Sequence, residues 1–359
     1  MCAFPVACQE APPCTTQAVT QHIAVTESPP TNEPPRFVSS AVPTDSEKYP
    51  YNHVACIAEM PGEDLLVVWV AGSREAARDT AIVASRRRKN ETTWSPPKTV
   101  ADKADAGDAN PTIFVDDRGA AWLFHVELFG EGNLCLSRVV VQTSGDGGET
   151  WTASHKSFEA ICTLVKNKPI ITRTGRWILP AYQEAIYQSQ FWLSDDRGQT
   201  WQAAAPLLTL PNNNLQPAVV ELADGSLYSL MRNGAGTGFT WEGRSTDCGK
   251  TWKLAERHDL PNPGSGIDLI RLADGRVLLA HNPSKKERTP LSVSVSADDG
   301  RTWSSPKTIE SGPPQLSYPS LIQTHDGMIH LVYSHQLSHI QHASFNTAWL
   351  SSPAADQRP

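Results

Sequence analysis

An eight-residue phrase recurs in this chain at a nearly constant interval. Its four complete copies share the pattern Ser-x-Asp-x-Gly-x-Thr-Trp and occupy residues 144–151, 194–201, 245–252 and 296–303. A degenerate copy runs from Ser85 to Trp94, and the five closing tryptophans are 57, 50, 51 and 51 residues apart. Self-similarity at a period of about 40–50 residues is typical of arrays of small β-sheets, above all of β-propellers. The repeat therefore predicts an all-β fold.

The periods also contain Asp-Gly turns between short β-branched runs. These turns are found at Asp224-Gly225, Asp274-Gly275 and Asp326-Gly327. Asp-Gly favours a tight hairpin because the chain must adopt positive φ there. Each period thus predicts a strand, an Asp-Gly turn, a strand, a loop, a strand, the Ser-to-Trp turn and a last strand. This order describes a four-stranded antiparallel blade.

A second repeat, a residue followed by proline, marks the first strand of four periods. Its copies are Asn110-Pro111, Lys168-Pro169, Gln216-Pro217 and Tyr318-Pro319. Proline is tolerated at the first residue of a strand, where no ladder donor is needed. The same phase gives His53-Val54 and Gly266-Ile267, so we expect a six-bladed β-propeller. The last period supplies only three strands, and we expect residues 36–39 to complete its blade.

The propeller is predicted to span residues 46–346. Residues 1–45 are rich in Pro, Thr, Ala and Glu without hydrophobic periodicity, and we expect a disordered leader and linker there. Residues 347–359 are expected to form a disordered tail. The stretch Val6–Cys8 resembles a bacterial lipoprotein cleavage site, which favours an extracellular or periplasmic location; a cytoplasmic one stays open.

Composition excludes several classes of function. Charged residues make up 19% of the chain and the net charge is −7, so there is no basic field for nucleic acid. No apolar run approaches the ~18 residues of a membrane span. The seven cysteines and the histidines lack metal-ligand spacing, so we expect free or buried thiols and no metal or cofactor.

The blade order predicts where a ligand would bind. The start of strand one and the end of strand two lie at the same rim of the central channel, whereas the Ser-to-Trp turns lie at the opposite face. We therefore expect the Ser-to-Trp turns to be structural, and the first rim to carry a site. Candidate residues at this rim include His53, Arg74, Asp79, Asn110, Lys168, Glu184, Gln216, Arg232, Arg288 and Tyr318.

At this point the chain resembles the sialidase (neuraminidase) superfamily, in its branch with BNR repeats. The resemblance rests on the six-bladed period and on the phrases at 69–75, 166–169, 263–268 and 318–321, and it covers about residues 46–346. It implies three arginines that bind the carboxylate of an acidic glycan, a tyrosine nucleophile with an activating glutamate, and an aspartate acid/base. A phenol suits an anionic sugar because a carboxylate nucleophile would be repelled.

Matching positions carry these roles onto the chain. Arg232 and Arg288 correspond to the second and third arginines, and Tyr318 to the nucleophile. Asp79 is the candidate acid/base. The resemblance and the rim position together mark four further candidates as substrate-binding residues: Arg74, Asn110, Lys168 and Gln216. The resemblance alone adds Asp268, the last residue of the phrase at 263–268.

Two positions depart from the family pattern. His53 stands where the first arginine is expected and Gln216 where the activating glutamate is expected, for which Glu184 could substitute. Three functions stay open. The first is a sialidase-like exo-glycosidase that cleaves a terminal acidic sugar. The second is a polysaccharide lyase that acts on a uronate, with His53 and Tyr318 as base and acid. The third is a glycan-binding propeller without catalysis.

Overall fold

The structure, a computed structural model, describes residues 33–158, 160, 162–207, 213–234 and 237–353. These residues form 25 strands in six antiparallel sheets, arranged as the six-bladed β-propeller that the repeat predicts. No helix in this part of the chain is long and apolar enough to cross a membrane.

The blades follow one another along the chain. Blade one contains β2 (Tyr51–Glu59), β3 (Leu65–Gly72), β4 (Ala81–Arg87) and β5 (Lys98–Ala101), and blade two contains β6 (Gly107–Val115), β7 (Ala121–Gly130), β8 (Asn133–Ser144) and β9 (His155–Lys156). Blade three contains β10 (Thr163–Val165), β11 (Ile170–Ile171), β12 (Trp177–Gln183), β13 (Gln188–Ser194) and β14 (Gln202–Ala203). Blade four contains β15 (Asn214–Glu221), β16 (Leu227–Asn233), β17 (Phe239–Ser245) and β18 (Lys253–Pro261). Blade five contains β19 (Asp268–Arg271), β20 (Val277–His281), β21 (Leu291–Ser296) and β22 (Lys307–Glu310). Blade six contains β23 (Leu316–Gln323), β24 (Ile329–His335), β25 (His339–Phe345) and β1 (Phe37–Val42).

The N-terminal strand closes the ring. β1 pairs antiparallel with β25, with Phe37 opposite Phe345, as expected for residues 36–39. The propeller therefore begins before residue 46, and the boundary expected there is wrong by about one strand. The C-terminal boundary is also displaced, because α1 (Thr347–Ser351) follows β25 and Trp349 stacks on Phe37 at 4.9 Å. The remaining leader and tail residues, 1–32 and 354–359, lie outside the described residues.

The Ser-to-Trp phrases are structural turns, as predicted. In the copy at 245–252, Asp247 accepts hydrogen bonds from the hydroxyls of Ser245 (2.8 Å) and Thr251 (2.6 Å), and Gly249 has φ of +84°. The closing Trp252 stacks on Phe191 with ring centroids 4.0 Å apart. The aspartate thus fixes the turn, and the tryptophan packs between neighbouring strands.

The cysteines differ from the expectation of thiols. Cys135 and Cys162 form a disulfide, whereas Cys56 is free and buried. The disulfide links the start of β8 in blade two to the segment that precedes β10 in blade three. Their separation of 27 residues gave no indication of pairing because connectivity cannot be deduced from spacing.

Candidate active site

Four of the first strands share a β-bulge near their cavity ends. The register shifts in β2, β6, β15 and β23, at the prolines or at the equivalent Ala55. The residue before each of these positions has positive φ, namely Val54 (53°), Asn110 (48°), Gln216 (51°) and Tyr318 (56°). Positive φ in a non-glycine residue is strained, and such residues cluster at functional sites.

The bulges correct the expected position of the prolines. Pro111, Pro217 and Pro319 lie within their strands rather than at the first residue, because a bulge interrupts the ladder and needs no donor there. The bulges also correct which residue of blade one is equivalent to Tyr318 of blade six. It is Val54, the residue with positive φ in the bulge, and not His53. Both Val54 and His53 nevertheless line the cavity.

A cavity of about 720 Å³ opens at this rim of the channel. Seven candidate residues line it: His53, Asn110, Glu184, Gln216, Arg232, Arg288 and Tyr318. The tertiary structure therefore collects side chains from all six blades at one place.

Tyr318 forms the centre of the cavity floor. Arg232 Nη1 donates hydrogen bonds to the Tyr318 hydroxyl (2.8 Å) and to Gln216 Oε1 (3.1 Å). Gln216 Nε2 donates to the Tyr318 hydroxyl (3.3 Å). The guanidinium of Arg288 lies 5.6 Å from the centre of the same ring. The phenol is therefore surrounded by two cations and an amide.

A second tyrosine extends the network. The Tyr182 hydroxyl accepts hydrogen bonds from Asn110 Nδ2 (2.9 Å) and Gln216 Nε2 (3.2 Å). Burial raises the pKa of Tyr182, so its hydroxyl is protonated at neutral pH. Gln216 thus joins two phenols, and its amide oxygen is already engaged by Arg232.

His53 is an uncharged imidazole next to Tyr318. The two rings lie 4.4 Å apart, and His53 Nδ1 is 2.8 Å from Ser334 Oγ. Burial, together with the charges of Arg288, Lys166 and Arg232, lowers the pKa of His53 to about 3. A neutral ring thus occupies the position where the family resemblance expects an arginine.

Glu184 lies on the cavity wall in a short 3₁₀ turn, Glu184–Ile186. Burial raises the pKa of its carboxyl group, Arg232 lowers it, and Glu75 raises it further. A carboxyl group with a raised pKa is suited to donate a proton. Glu75 also lines the cavity, four residues before Asp79.

Four candidates do not line this cavity. Asp79 Oδ1 accepts hydrogen bonds from the Ser73 hydroxyl (2.8 Å) and backbone N–H (3.3 Å), and Arg74 forms an ion pair with Glu131. Lys168 Nζ and Asp268 Oδ2 form a buried ion pair at 3.0 Å. This pair lines a separate pocket of about 290 Å³. The sequence could not show this because the first strand of blade three is interrupted between residues 165 and 170, which divides it into β10 and β11. Lys168 lies in this interruption, so its side chain does not follow the alternation of the other first strands.

Lys166 supports the floor from below, and the sequence analysis did not select it. Its buried Nζ donates to the backbone carbonyls of Pro319 (2.7 Å) and Ile267 (2.8 Å) and to Asn167 Oδ1 (2.8 Å). Burial lowers its pKa to about 8. Lys166 thus binds the backbone of β23 directly after Tyr318.

Tyr51 is a further lining residue that was not predicted. Its ring contacts His53 edge-on at 5.7 Å. Residues two apart share one face of a strand, so alternation from His53 could have identified it. In the described part of the chain, no group of three or more His, Cys, Asp or Glu side chains is placed to hold a metal ion.

Comparison with known proteins identifies the family. The model of the BNR repeat-like domain matches residues 63–331, so the chain belongs to this family. A sialidase of Micromonospora viridifaciens is 27% identical over an alignment that covers 93% of this chain and 57% of that protein. The chain thus spans little more than half the length of this relative.

Two solved structures show the same fold. The Hadza microbial sialidase Hz136 superposes with a TM-score of 0.74 at 18% identity, covering 83% of this chain and 66% of that one. A protein of unknown function from Dyadobacter fermentans superposes with a TM-score of 0.73 at 18% identity, covering 87% of this chain and 99% of that one.

Proposed function

We propose that the protein is a sialidase-like exo-glycosidase that removes a terminal acidic sugar from a glycan. The observation that carries this proposal is the hydrogen bond from Arg232 to the Tyr318 hydroxyl on the floor of a cavity that also contains Arg288. Two arginines can bind a carboxylate, and the phenol lies beside them. The relationship to the sialidase of Micromonospora viridifaciens supports the same chemistry.

In the proposed reaction, the Tyr318 oxygen attacks the anomeric carbon and the bond to the leaving oxygen breaks. Arg232, at 2.8 Å, stabilises the negative charge that develops on the phenol oxygen. Glu184 donates its proton to the leaving oxygen, in the role first expected for Asp79. Water then hydrolyses the glycosyl-tyrosine bond, and Glu184 recovers a proton in that step.

Among the residues that the structure describes, no carboxylate shares a hydrogen bond with Tyr318 and could accept the phenolic proton. Its two partners are Arg232, which cannot accept a proton, and Gln216, which is a neutral amide. The proton therefore leaves to water in the cavity. We expect turnover to be slow compared with a site that has a positioned base.

His53 makes the lyase alternative less favourable. An elimination would use this imidazole as the base that removes the proton next to a uronate carboxylate. A general base works best when its pKa is near the working pH, and the pKa of His53 is lowered to about 3. A lyase with His53 as base would therefore be inefficient at neutral pH.

A covalent trap tests the proposal. A fluorinated sialic-acid analogue should form an adduct on Tyr318, detected as a mass increase and located by peptide mapping. The variant Tyr318→Phe should give no adduct, whereas the matched variant Tyr182→Phe, which changes the neighbouring buried phenol, should still form one. Turnover of an acidic glycoside without any adduct would contradict the nucleophile, and an unsaturated uronate among the products would identify a lyase.

The extracellular or periplasmic location remains part of this proposal. The disulfide between Cys135 and Cys162 favours an oxidising compartment. A fusion to a reporter that matures only outside the cytoplasm would test it.

A further inference from the structure

Lys166 and Asn167 cross the central channel from blade three. They lie between β10 and β11, so neither belongs to a strand. Lys166 Nζ donates hydrogen bonds to the carbonyl oxygens of Ile267 (2.8 Å), next to β19 of blade five, and of Pro319 (2.7 Å), in β23 of blade six. Blades three and six face each other in a ring of six. The interrupted first strand of blade three therefore supplies a bridge between distant blades.

Asn167 extends this bridge to blade four. Its Nδ2 donates to the carbonyl oxygens of Gln216 (3.2 Å) and Pro217 (2.9 Å), and its Oδ1 accepts from Lys166 Nζ (2.8 Å). The bulges of β15 and β23 are thus each bound by a side chain from blade three. In these bulges Gln216 and Tyr318 have positive φ, a strained conformation that persists only where the surrounding structure imposes it. Lys166 and Asn167 provide contacts of this kind.

The stem of Lys166 also packs close to the ring of Tyr318. A Cβ placed on Gly266 would lie 3.3 Å from Lys166 Cε, from Tyr318 Cδ1 and from Gln216 Oε1. The three side chains therefore surround a space no larger than a methyl group. Because a close-packed interior transmits displacements, a shift of Lys166 would move the Tyr318 ring and the amide that donates to its hydroxyl.

The hydrogen bonds of Lys166 require its charged form. The three acceptors are two main-chain carbonyls and an amide oxygen, which carry no proton, and only an ammonium group has three N–H donors. Lys166 is 3% exposed and forms no ion pair within the described part of the chain. A buried cation without a carboxylate partner is costly. Ionisable groups in such surroundings cluster at functional sites.

We propose that Lys166 is a positioning residue for the nucleophile: as a cation, it fixes the bulge of β23 and so directs the Tyr318 hydroxyl at the reacting carbon. The proposal rests on the proposed function, because it concerns the residue that attacks there. Without the cation, the carbonyl of Pro319 loses its donor and the bulge is no longer fixed. A displacement of about 1 Å from the productive geometry can reduce a rate about 10²-fold. Binding of the sugar carboxylate is left to Arg232 and Arg288.

The rate of the covalent trap tests this role in Lys166→Met. With an analogue that carries fluorine at the anomeric carbon, the Tyr318 oxygen bonds to that carbon, fluoride leaves and the phenolic proton goes to water. Fluoride needs no proton to leave, so the rate does not report on Glu184. Lys166→Met should form the adduct about 10²-fold more slowly. It should bind the methyl thioglycoside of sialic acid, measured by titration calorimetry, as tightly as the unmodified protein does.

Lys307→Met is the matched control. Lys307 Nζ also donates to main-chain carbonyl oxygens, those of Trp349 and Ser352, but it lies on the outermost strand of blade five. This variant should keep the full rate of adduct formation. If Lys166→Met formed the adduct at the unmodified rate, or lost only stability in urea unfolding, the proposal would be overturned.

The pH dependence separates the charge of Lys166 from its shape. Burial lowers the pKa of Lys166 to about 8. The charged or titratable groups that face it are Asp268, Lys168, Cys56, Arg232 and His53. Lys166→Arg keeps the cation at alkaline pH, because a guanidinium stays protonated. The ratio of the adduct rates, Lys166→Arg over unmodified, cancels the ionisation of Tyr318 and of these neighbours.

This ratio should be constant below pH 8 and should rise above it, by up to about tenfold per pH unit. A ratio that stays constant on both sides of pH 8 would overturn the proposal. Adduct formation by the unmodified protein supports Tyr318 as the nucleophile whatever the variants show, so the inference about Lys166 can fail alone. No adduct on the unmodified protein at any pH would overturn the proposed function and the role of Lys166 together.

Discussion

His281 provides a test of the electrostatics that follow from the blade packing. It is fully buried on β20, with Nε2 at 3.0 Å from Ser294 Oγ, and Nδ1 has no hydrogen-bond partner among the described residues. Burial lowers its pKa from 6.5 to about 4 because the charged ring would lose its hydration. We expect His281→Gln to make the stability of the protein less dependent on pH.

The sign and size follow from proton linkage. As the pH falls through 6.5, the unfolded chain binds a proton at this residue, whereas the folded protein binds it only near pH 4. Stability from this histidine is therefore complete above pH 6.5 and is lost between pH 6.5 and about 4. At about 1.4 kcal/mol per pH unit, the loss over this window is about 3 kcal/mol.

Urea unfolding across this pH window measures the effect. Against the unmodified protein, His281→Gln should show a free energy of unfolding that falls less steeply on acidification, by up to about 1.4 kcal/mol per pH unit. The control His155→Gln, at an exposed position on β9, should keep the original slope. The difference in slope isolates His281 from other buried histidines. Equal slopes for His281→Gln and the unmodified protein would refute a neutral buried imidazole.

Three further substitutions test the Ser-to-Trp turns, the ion pair between Lys168 and Asp268, and the surroundings of the Tyr318 hydroxyl. Trp252→Ala should lower the free energy of unfolding by about 3 kcal/mol through lost packing on Phe191; urea unfolding measures it, and lost turnover at unchanged stability would contradict a structural role. Lys168→Met removes the cation that is paired with the buried carboxylate of Asp268, so it should lower the free energy of unfolding by about 3–5 kcal/mol. The double variant Lys168→Met, Asp268→Leu should lose less; equal losses for the single and the double variant would exclude coupling between the two residues. Gln216→Glu places a carboxylate near the Tyr318 hydroxyl, so kcat should rise, by up to about 10²-fold; an unchanged kcat would show that phenol deprotonation does not limit turnover.

The repeat determined the architecture because its information is local. Each Asp-Gly pair and each Ser-to-Trp phrase specifies its own turn. The five Ser-to-Trp phrases, one of them degenerate, together with six equivalent strand starts leave few alternatives to a six-bladed ring. The N-terminal strand was also predictable, since the last period lacks one strand. The boundary at residue 46 was not, because composition alone cannot show that Phe37 pairs with Phe345.

The candidate site was predictable only in part. Tyr318, Gln216 and Asn110 were identified because their prolines mark equivalent positions in different blades. Lys168 also precedes a proline but does not line the cavity, because the first strand of blade three is interrupted at this point. Asp79 was selected from a loop, where no period fixes the direction of a side chain, and its carboxylate binds Ser73.

The sequence by itself determined the fold class, the number of blades and the rim at which polar residues gather. Only the tertiary structure decided which of them meet. Bulges with positive φ direct Gln216 and Tyr318 into one cavity, and the neutral state of His53 results from burial among Arg288, Lys166 and Arg232. A sequence repeat reflects hydrogen bonds between residues that are close together in the chain. The pKa of a buried group and the lining of a cavity depend instead on residues that are distant in sequence and become neighbours only when the ring closes.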